Sequence, residues 1–202
     1  VAPRLDRSVV EVGGTGLNFA ALTRGLAEIP DIPPEVRAEA DLRMRAEGRM
    51  ALLSDLDART AARIDQMNGA RVQRAWEVLR ATGRGLADWQ DDTPPPLLPR
   101  AAAEALVLVP DTAWLNDRID LRFSAMLAAG ALDEARANLP AWDPARPASR
   151  AIGGAELIAH LQGRLSLSDS IAAATLASRQ YAKRQRTWFR SNMADWTHLY
   201  LP

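Results

Sequence analysis

Five basic side chains crowd twelve residues near the C-terminus: Arg179, Lys183, Arg184, Arg186 and Arg190, with no acid among them. Arg179, Lys183, Arg186 and Arg190 are spaced four, three and four apart, so on a helix they form one stripe. Like charges stacked in this way repel, and a face that accepts the repulsion is suited to an anion. Tyr181, Gln185 and Trp188 form a second stripe beside it. Cations with aromatics alongside suit nucleic acid, where phosphates take the charge and bases take the rings. A solvated Arg face over an aromatic core gives the same pattern, and the residues alone leave both readings open.

A second group lies at the other end of the chain. Val12-Gly13-Gly14-Thr15-Gly16-Leu17 places backbone N–H groups and one hydroxyl where a helix begins. Such a turn can hold a phosphate, and it can equally be only a tight turn. It is not a Walker A loop, because the only Lys of the chain is Lys183. Two further Arg pairs have the spacing of a helix face. Arg118 and Arg122 stand one turn apart and could clamp a diphosphate, although Asp117 and Asp120 offer them surface salt bridges. Arg71 and Arg74 could lie along a nucleic-acid backbone or simply face solvent. His160 and His198 have no partner at ligand spacing and read as structural. No nucleophile elbow, zinc-protease helix or paired-carboxylate motif occurs, so no self-contained catalytic constellation is legible.

The elements that must position these groups can be read from periodicity. Val9-Val10-Glu11-Val12 reads as a short strand and Leu17 to Leu26 as a helix, giving strand, glycine turn, helix. Residues 35–82 read as several short helices punctuated by Gly48, Asp57 and Asn68-Gly69, with Gly83 and Gly85 ending the last. Ala105 to Val109 is the second strand candidate. Residues 116–129 read as an amphipathic helix with Ile119, Phe123, Met126 and Leu127 inward, followed by a short partner over 132–139. Residues 153–161 are helical. The last helix runs over 166–192, with Ser166 as N-cap and Asp169 in the place of the usual capping-box Glu. The expected fold is therefore α/β but predominantly helical, with a small parallel-sheet remnant.

Composition bounds the chemistry. The 202 residues carry 25 basic and 25 acidic side chains, two His and no Cys. Zero Cys removes disulfides, thiolate metal sites and a Cys nucleophile. No apolar run approaches the length of a membrane span, and the first residues lack the pattern of a signal peptide. The basic residues are 24 Arg and one Lys, a bias that an Arg-rich genome explains as well as anion binding does.

Four stretches together carry a resemblance. They are the glycine turn 12–17; Arg71-Val72-Gln73-Arg74-Ala75-Trp76-Glu77-Val78 followed by Thr82-Gly83; Arg118-Ile119-x-x-Arg122-Phe123-x-x-Met126-Leu127; and residues 179–190. In this order they resemble the bacterial tRNA dimethylallyltransferases, also called tRNA isopentenyltransferases. The resemblance implies transfer of a dimethylallyl group from its diphosphate to the exocyclic amine of the adenine 3′ of the anticodon. It implies a P-loop-type core described as nucleotide- and ATP-binding, a helical insertion embracing the anticodon stem-loop, and Mg²⁺ assisting departure of the diphosphate. It implies a cytoplasmic monomer. On the matching positions, Arg122 and Thr15 are the implied catalytic side chains, with Arg118 and Arg122 on the diphosphate. The implied tRNA-binding residues are Thr15, Arg37, Arg71, Arg74, Arg150 in the 150–155 turn, Lys183, Arg184, Gln185, Arg186, Trp188 and Arg190. The domains implied are 1–34 as part of the core, 35–90 as the insertion, and 91–202 as the return to the core.

There are departures from the pattern. The P-loop, and the segment that supplies the family's proton-accepting carboxylate, would precede Val1. The ligands of Mg²⁺ are expected there too, with none in this chain. Asn18 stands where Tyr is usual, Gly154-Ala155 replaces Tyr-Arg, and Glu11 replaces an apolar strand residue. The expectation is the C-terminal two thirds of such an enzyme, inactive alone. Two alternatives stand beside it: a non-catalytic tRNA-binding relative, and an adenylate-type isopentenyltransferase acting on free nucleotide. A mononucleotide needs neither the basic helix nor the 35–82 segment, which argues against the latter.

Overall fold

The computed structural model describes residues 9–201. The opening residues 1–8 of the expected 1–34 segment lie outside the described residues. The contacts divide the chain into two compact units, one built on Leu17–Glu104 and the other on Glu11–Gly16 with Ala105–Pro202.

The first unit is helical: α1 (Gly16–Arg24, whose first residue belongs to the other unit), α2 (Pro34–Ala46), α3 (Arg49–Ser54), α4 (Ala58–Arg63), α5 (Gly69–Thr82) and α6 (Leu86–Asp91). Their boundaries follow local chemistry. Pro34 opens α2, where its missing N–H costs nothing. Asp57 caps α4 by accepting from the Thr60 N–H at 2.7 Å, and Asn68 caps α5 by accepting from Arg71 N–H at 3.3 Å. Gly83 ends α5 in the left-handed region at φ 68°, which a side chain would resist. Ala40 of α2, Leu52 of α3, and Val72, Ala75 and Trp76 of α5 close the core with Leu56. After α6 the Pro-rich stretch 93–99 returns beside α1, with the Leu98 N–H donating to the Leu22 carbonyl at 3.0 Å.

The second unit contains β1 (Leu106–Pro110), α7 (Thr112–Ala128), α8 (Ala131–Asn138), α9 (Gly154–Leu161), α10 (Leu167–Asn192) and β2 (Thr197–Leu201). The two strands pair in parallel, Val107 opposite His198, and the four helices form the crossover that a parallel pair requires. Phe123, Ala135, Leu157, Ile158 and Ala174 make the core. Ser166 caps α10 as expected, accepting from Asp169 N–H at 3.0 Å. The Asp169 carboxylate takes the Ser166 hydroxyl at 2.6 Å.

The mostly helical architecture with a small parallel sheet is as expected, but three local readings are corrected. The run 9–12 is not a strand. It has no strand beside it among the described residues, and Val10 and Val12 are each 83% exposed. A strand is held by its ladder, and a β-prone composition without a partner has nothing to hold it. Second, β2 was not foreseen, and it supplies the parallel partner of β1. Third, α7 begins four residues earlier than read, because Asp111 caps it by accepting from Trp114 N–H at 2.9 Å. Its apolar stripe is narrower than read: Phe123 is buried, whereas Met126 is 41% exposed.

Candidate functional site

In the second unit, α10 is fastened to α7 by two contacts. Arg179 forms an ion pair with Asp120, and Arg186 Nη1 donates to the Thr112 hydroxyl at 2.7 Å. The five-cation cluster therefore splits into two kinds. Arg179 and Arg186 are engaged by α7. Lys183, Arg184 and Arg190 are exposed and have no ion-pair partner among the described residues; the guanidinium of Arg184 lies over the Tyr181 ring at 5.7 Å.

The second stripe of α10 meets the glycine turn. Gln185 Nε2 donates to the Gly14 carbonyl at 2.6 Å. The Trp188 ring lies against Gly16 so closely that a Cβ there would collide with it. Gly16 is buried and Thr15, one residue earlier, is exposed. Trp188 and Phe189 meet edge-on, with centroids 6.0 Å apart.

On α7, Arg118 lies over the Trp114 ring at 5.7 Å, and Arg122 is exposed without an ion-pair partner among the described residues. The next residue, Phe123, supports the 150–155 turn. Gly153 sits on its ring at φ 94°, and a Cβ there would come within 2.8 Å of Phe123 Cε2. Gly153 N–H donates to Glu156 Oε2 at 3.0 Å, which opens α9, and Arg150 is exposed just before it.

Arg37, Arg71 and Arg74 belong to the first unit. Arg37 and Arg71 are exposed on α2 and α5, and Arg74 approaches the buried Glu77 carboxylate at 3.9 Å. Glu77 also accepts from Gln73 Nε2 at 3.0 Å. Sequence reading missed Thr112, Trp114, Asp120 and Gly153 as supports of the site. Two carried a signal: Trp114 stands four residues before Arg118 on one helix, and Gly153 is a Gly immediately before a helix. Thr112 and Asp120 depend on partners far away in sequence.

Among the described residues no three His, Asp or Glu side chains come together to hold a metal, and no helix is long and apolar enough to cross a membrane. Chemically, the second unit offers exposed cations on two helices. Exposed cations so placed are of the kind that can neutralise phosphates.

The sequence matches the IPP transferase family over residues 4–192. The chain belongs to the IPP transferase family. A tRNA dimethylallyltransferase from Cereibacter sphaeroides (strain ATCC 17029 / ATH 2.4.9) is 66% identical over 193 residues, covering 96% of this chain and 62% of that protein. One from Jannaschia sp. (strain CCS1) is 58% identical over 202 residues, covering all of this chain and 70% of that protein. The IPP transferase likeness extends to structure. The full-length tRNA isopentenylpyrophosphate transferase from Bacillus halodurans superposes with a TM-score of 0.53 at 31% identity, over 92% of this chain and 57% of that one. The chain thus spans a little under two thirds of the Cereibacter relative.

Proposed function

We propose that this chain is the tRNA-facing part of a tRNA dimethylallyltransferase. The exocyclic amine of the adenine 3′ of the anticodon attacks C1 of dimethylallyl diphosphate. The new N–C bond forms as the C–O bond breaks, the diphosphate leaves with the electron pair, and the proton that the amine sheds would pass to the carboxylate expected in the family's P-loop-side segment. Arg118 and Arg122 would neutralise the charge that develops on it. Thr15 would stand at the mouth of the pocket that takes the flipped adenine. The RNA backbone would lie on Lys183, Arg184 and Arg190, with Arg150 beside its turn and Arg37, Arg71 and Arg74 in the helical unit. The observation that carries this reading is the exposed set Lys183, Arg184 and Arg190, without ion-pair partners among the described residues, on a helix of an IPP transferase chain.

Mg²⁺ is part of the proposal for the whole enzyme. The described residues bring no carboxylate cluster together, so they do not fit such an ion, and none of the roles proposed for them passes through it.

The test is a salt titration of binding to an anticodon stem-loop RNA, followed by a prenyl-transfer assay. Phosphate neutralisation makes binding fall steeply with salt, and removing one phosphate-binding cation lowers the slope of log K against log salt by roughly 0.7–0.9. The 202-residue chain alone should give no transfer, and the chain joined to a family P-loop segment should give it. Turnover by the isolated chain would overturn that division of labour, and prenylation of free AMP in place of RNA would overturn the substrate.

A further inference from the structure

We infer that Gln185 and Trp188 are positioning residues for the glycine turn, and that they set where Thr15 stands. Three observations meet here. The Gln185 amide donates to Gly14 O at 2.6 Å, and a Cβ at Gly14 would come within 2.6 Å of the same nitrogen. The Trp188 ring fills the space that a Cβ at Gly16 would need. Gly16 is buried while Thr15 between the two glycines is exposed. The turn is therefore gripped on either side of Thr15, one contact polar and one steric. This also accounts for glycine at position 16 without appeal to a bound phosphate: the backbone must approach the Trp188 ring closely.

The grip separates two roles that are interleaved along one helix. Lys183, Arg184 and Arg190 face solvent. Gln185 and Trp188, between them in sequence, have their polar and aromatic groups committed to the turn. Trp188 is then not a platform for an RNA base. Because Arg179 and Arg186 tie α10 to α7, the helix that holds Thr15 in place is the helix braced against the one bearing Arg118 and Arg122. Small displacements of a reacting group cost rate, so the grip bears on turnover rather than on affinity. What Thr15 does there rests on the prenyl-transfer reading; the grip does not.

The two are separated by labelling the protein with 5-fluorotryptophan and assigning the Trp188 resonance by its disappearance in Trp188→Phe. Gly16→Ala and Gln185→Met should each shift that resonance, and saturating anticodon stem-loop RNA should leave it in place. A resonance unmoved by both substitutions, or moved by RNA as far as by Gly16→Ala, overturns the inference. Gln185→Met keeps the test decisive should Gly16→Ala not fold. In prenyl-transfer assays of the chain joined to a family P-loop segment, Gln185→Met should lower kcat about tenfold and leave KM for tRNA within about twofold. Arg184→Ala should chiefly raise KM. Equal rises in KM for the two variants would overturn the assignment. If wild type binds no RNA, the proposed function fails, and the response to Gly16→Ala still decides the grip.

Discussion

Trp76 and Asp55 are joined by a hydrogen bond of 3.0 Å from the indole N–H to the carboxylate, and the guanidinium of Arg43 reaches the same oxygen at 2.5 Å. Arg43 also lies over the Trp76 ring at 5.4 Å. Glu39, Leu79, Arg80 and Gly83 complete an open cavity of about 550 Å³ around them. One carboxylate thus links α2, the end of α3 and α5.

The Asp55 contacts make the stability of the helical unit pH-dependent. Arg43 first, and then the Trp76 indole, hold the Asp55 carboxyl below the ordinary carboxylate range. Its folded state is the more acidic, so its contribution is complete above the unfolded value of about 3.9 and is lost as pH falls through the folded value. Asp55→Asn should remove that part of the acid dependence and cost about 1 kcal/mol at neutral pH, modest because the pair is partly solvated. Urea unfolding of both proteins between neutral and acid pH checks it. Parallel acid profiles would show that Asp55 does not contribute.

Thr60 makes a stricter demand. It is buried, and its hydroxyl accepts from the Ala87 N–H at 3.1 Å, joining α4 to α6. Thr60→Val keeps the shape and leaves that N–H without an acceptor. The expected cost is about 1–3 kcal/mol, against a small effect for Thr60→Ser, which keeps the oxygen. Thermal unfolding of the pair distinguishes a missing hydrogen bond from poorer packing.

Arg179 and Arg184 should behave oppositely although both belong to the same basic run. Arg179 is committed to Asp120, with its Nε buried and unpaired, and Arg184 is exposed. Arg179→Ala leaves the Asp120 carboxylate without its partner and should lower thermal stability, with the salt slope of RNA binding unchanged. Arg184→Ala should lower the slope by roughly 0.7–0.9 and leave the melting temperature where it was. Equal effects of the two on RNA affinity would remove the distinction.

These contrasts mark what was legible in the sequence. The stops of the helices over 35–82 are legible because they are local: Asp57 and Asn68 cap with their own side chains, and Gly83 turns left-handed; α6, beyond Gly85, is not in that reading. The strand at 9–12 was misread and β2 missed because pairing is decided by distant residues. Thr197–Leu201 is β-prone, but only Leu106–Pro110, some ninety residues earlier, makes it a strand. The site followed the same rule. Spacing found the basic stripe of α10, yet which cations are spent internally depends on Asp120 and Thr112, and the fate of Gln185 depends on Gly14 at the other end of the chain.

Gly153 joins conformation and packing in a single residue. Its φ of 94° lies where an L side chain is strained, and Phe123 occupies the direction a Cβ would take. Gly153→Ala should therefore cost about 1–3 kcal/mol, the strain and the clash adding. Phe123→Leu alone opens a space in the core and is destabilising in its own right. Combined with Gly153→Ala it should relieve the clash but not the strain, so the double variant should be more stable than the sum of the two losses predicts. A double-mutant cycle by chemical denaturation measures that coupling. Strict additivity would mean that Phe123 does not hold the turn. Arg150 would then owe its place to other contacts than the residue beside Arg122.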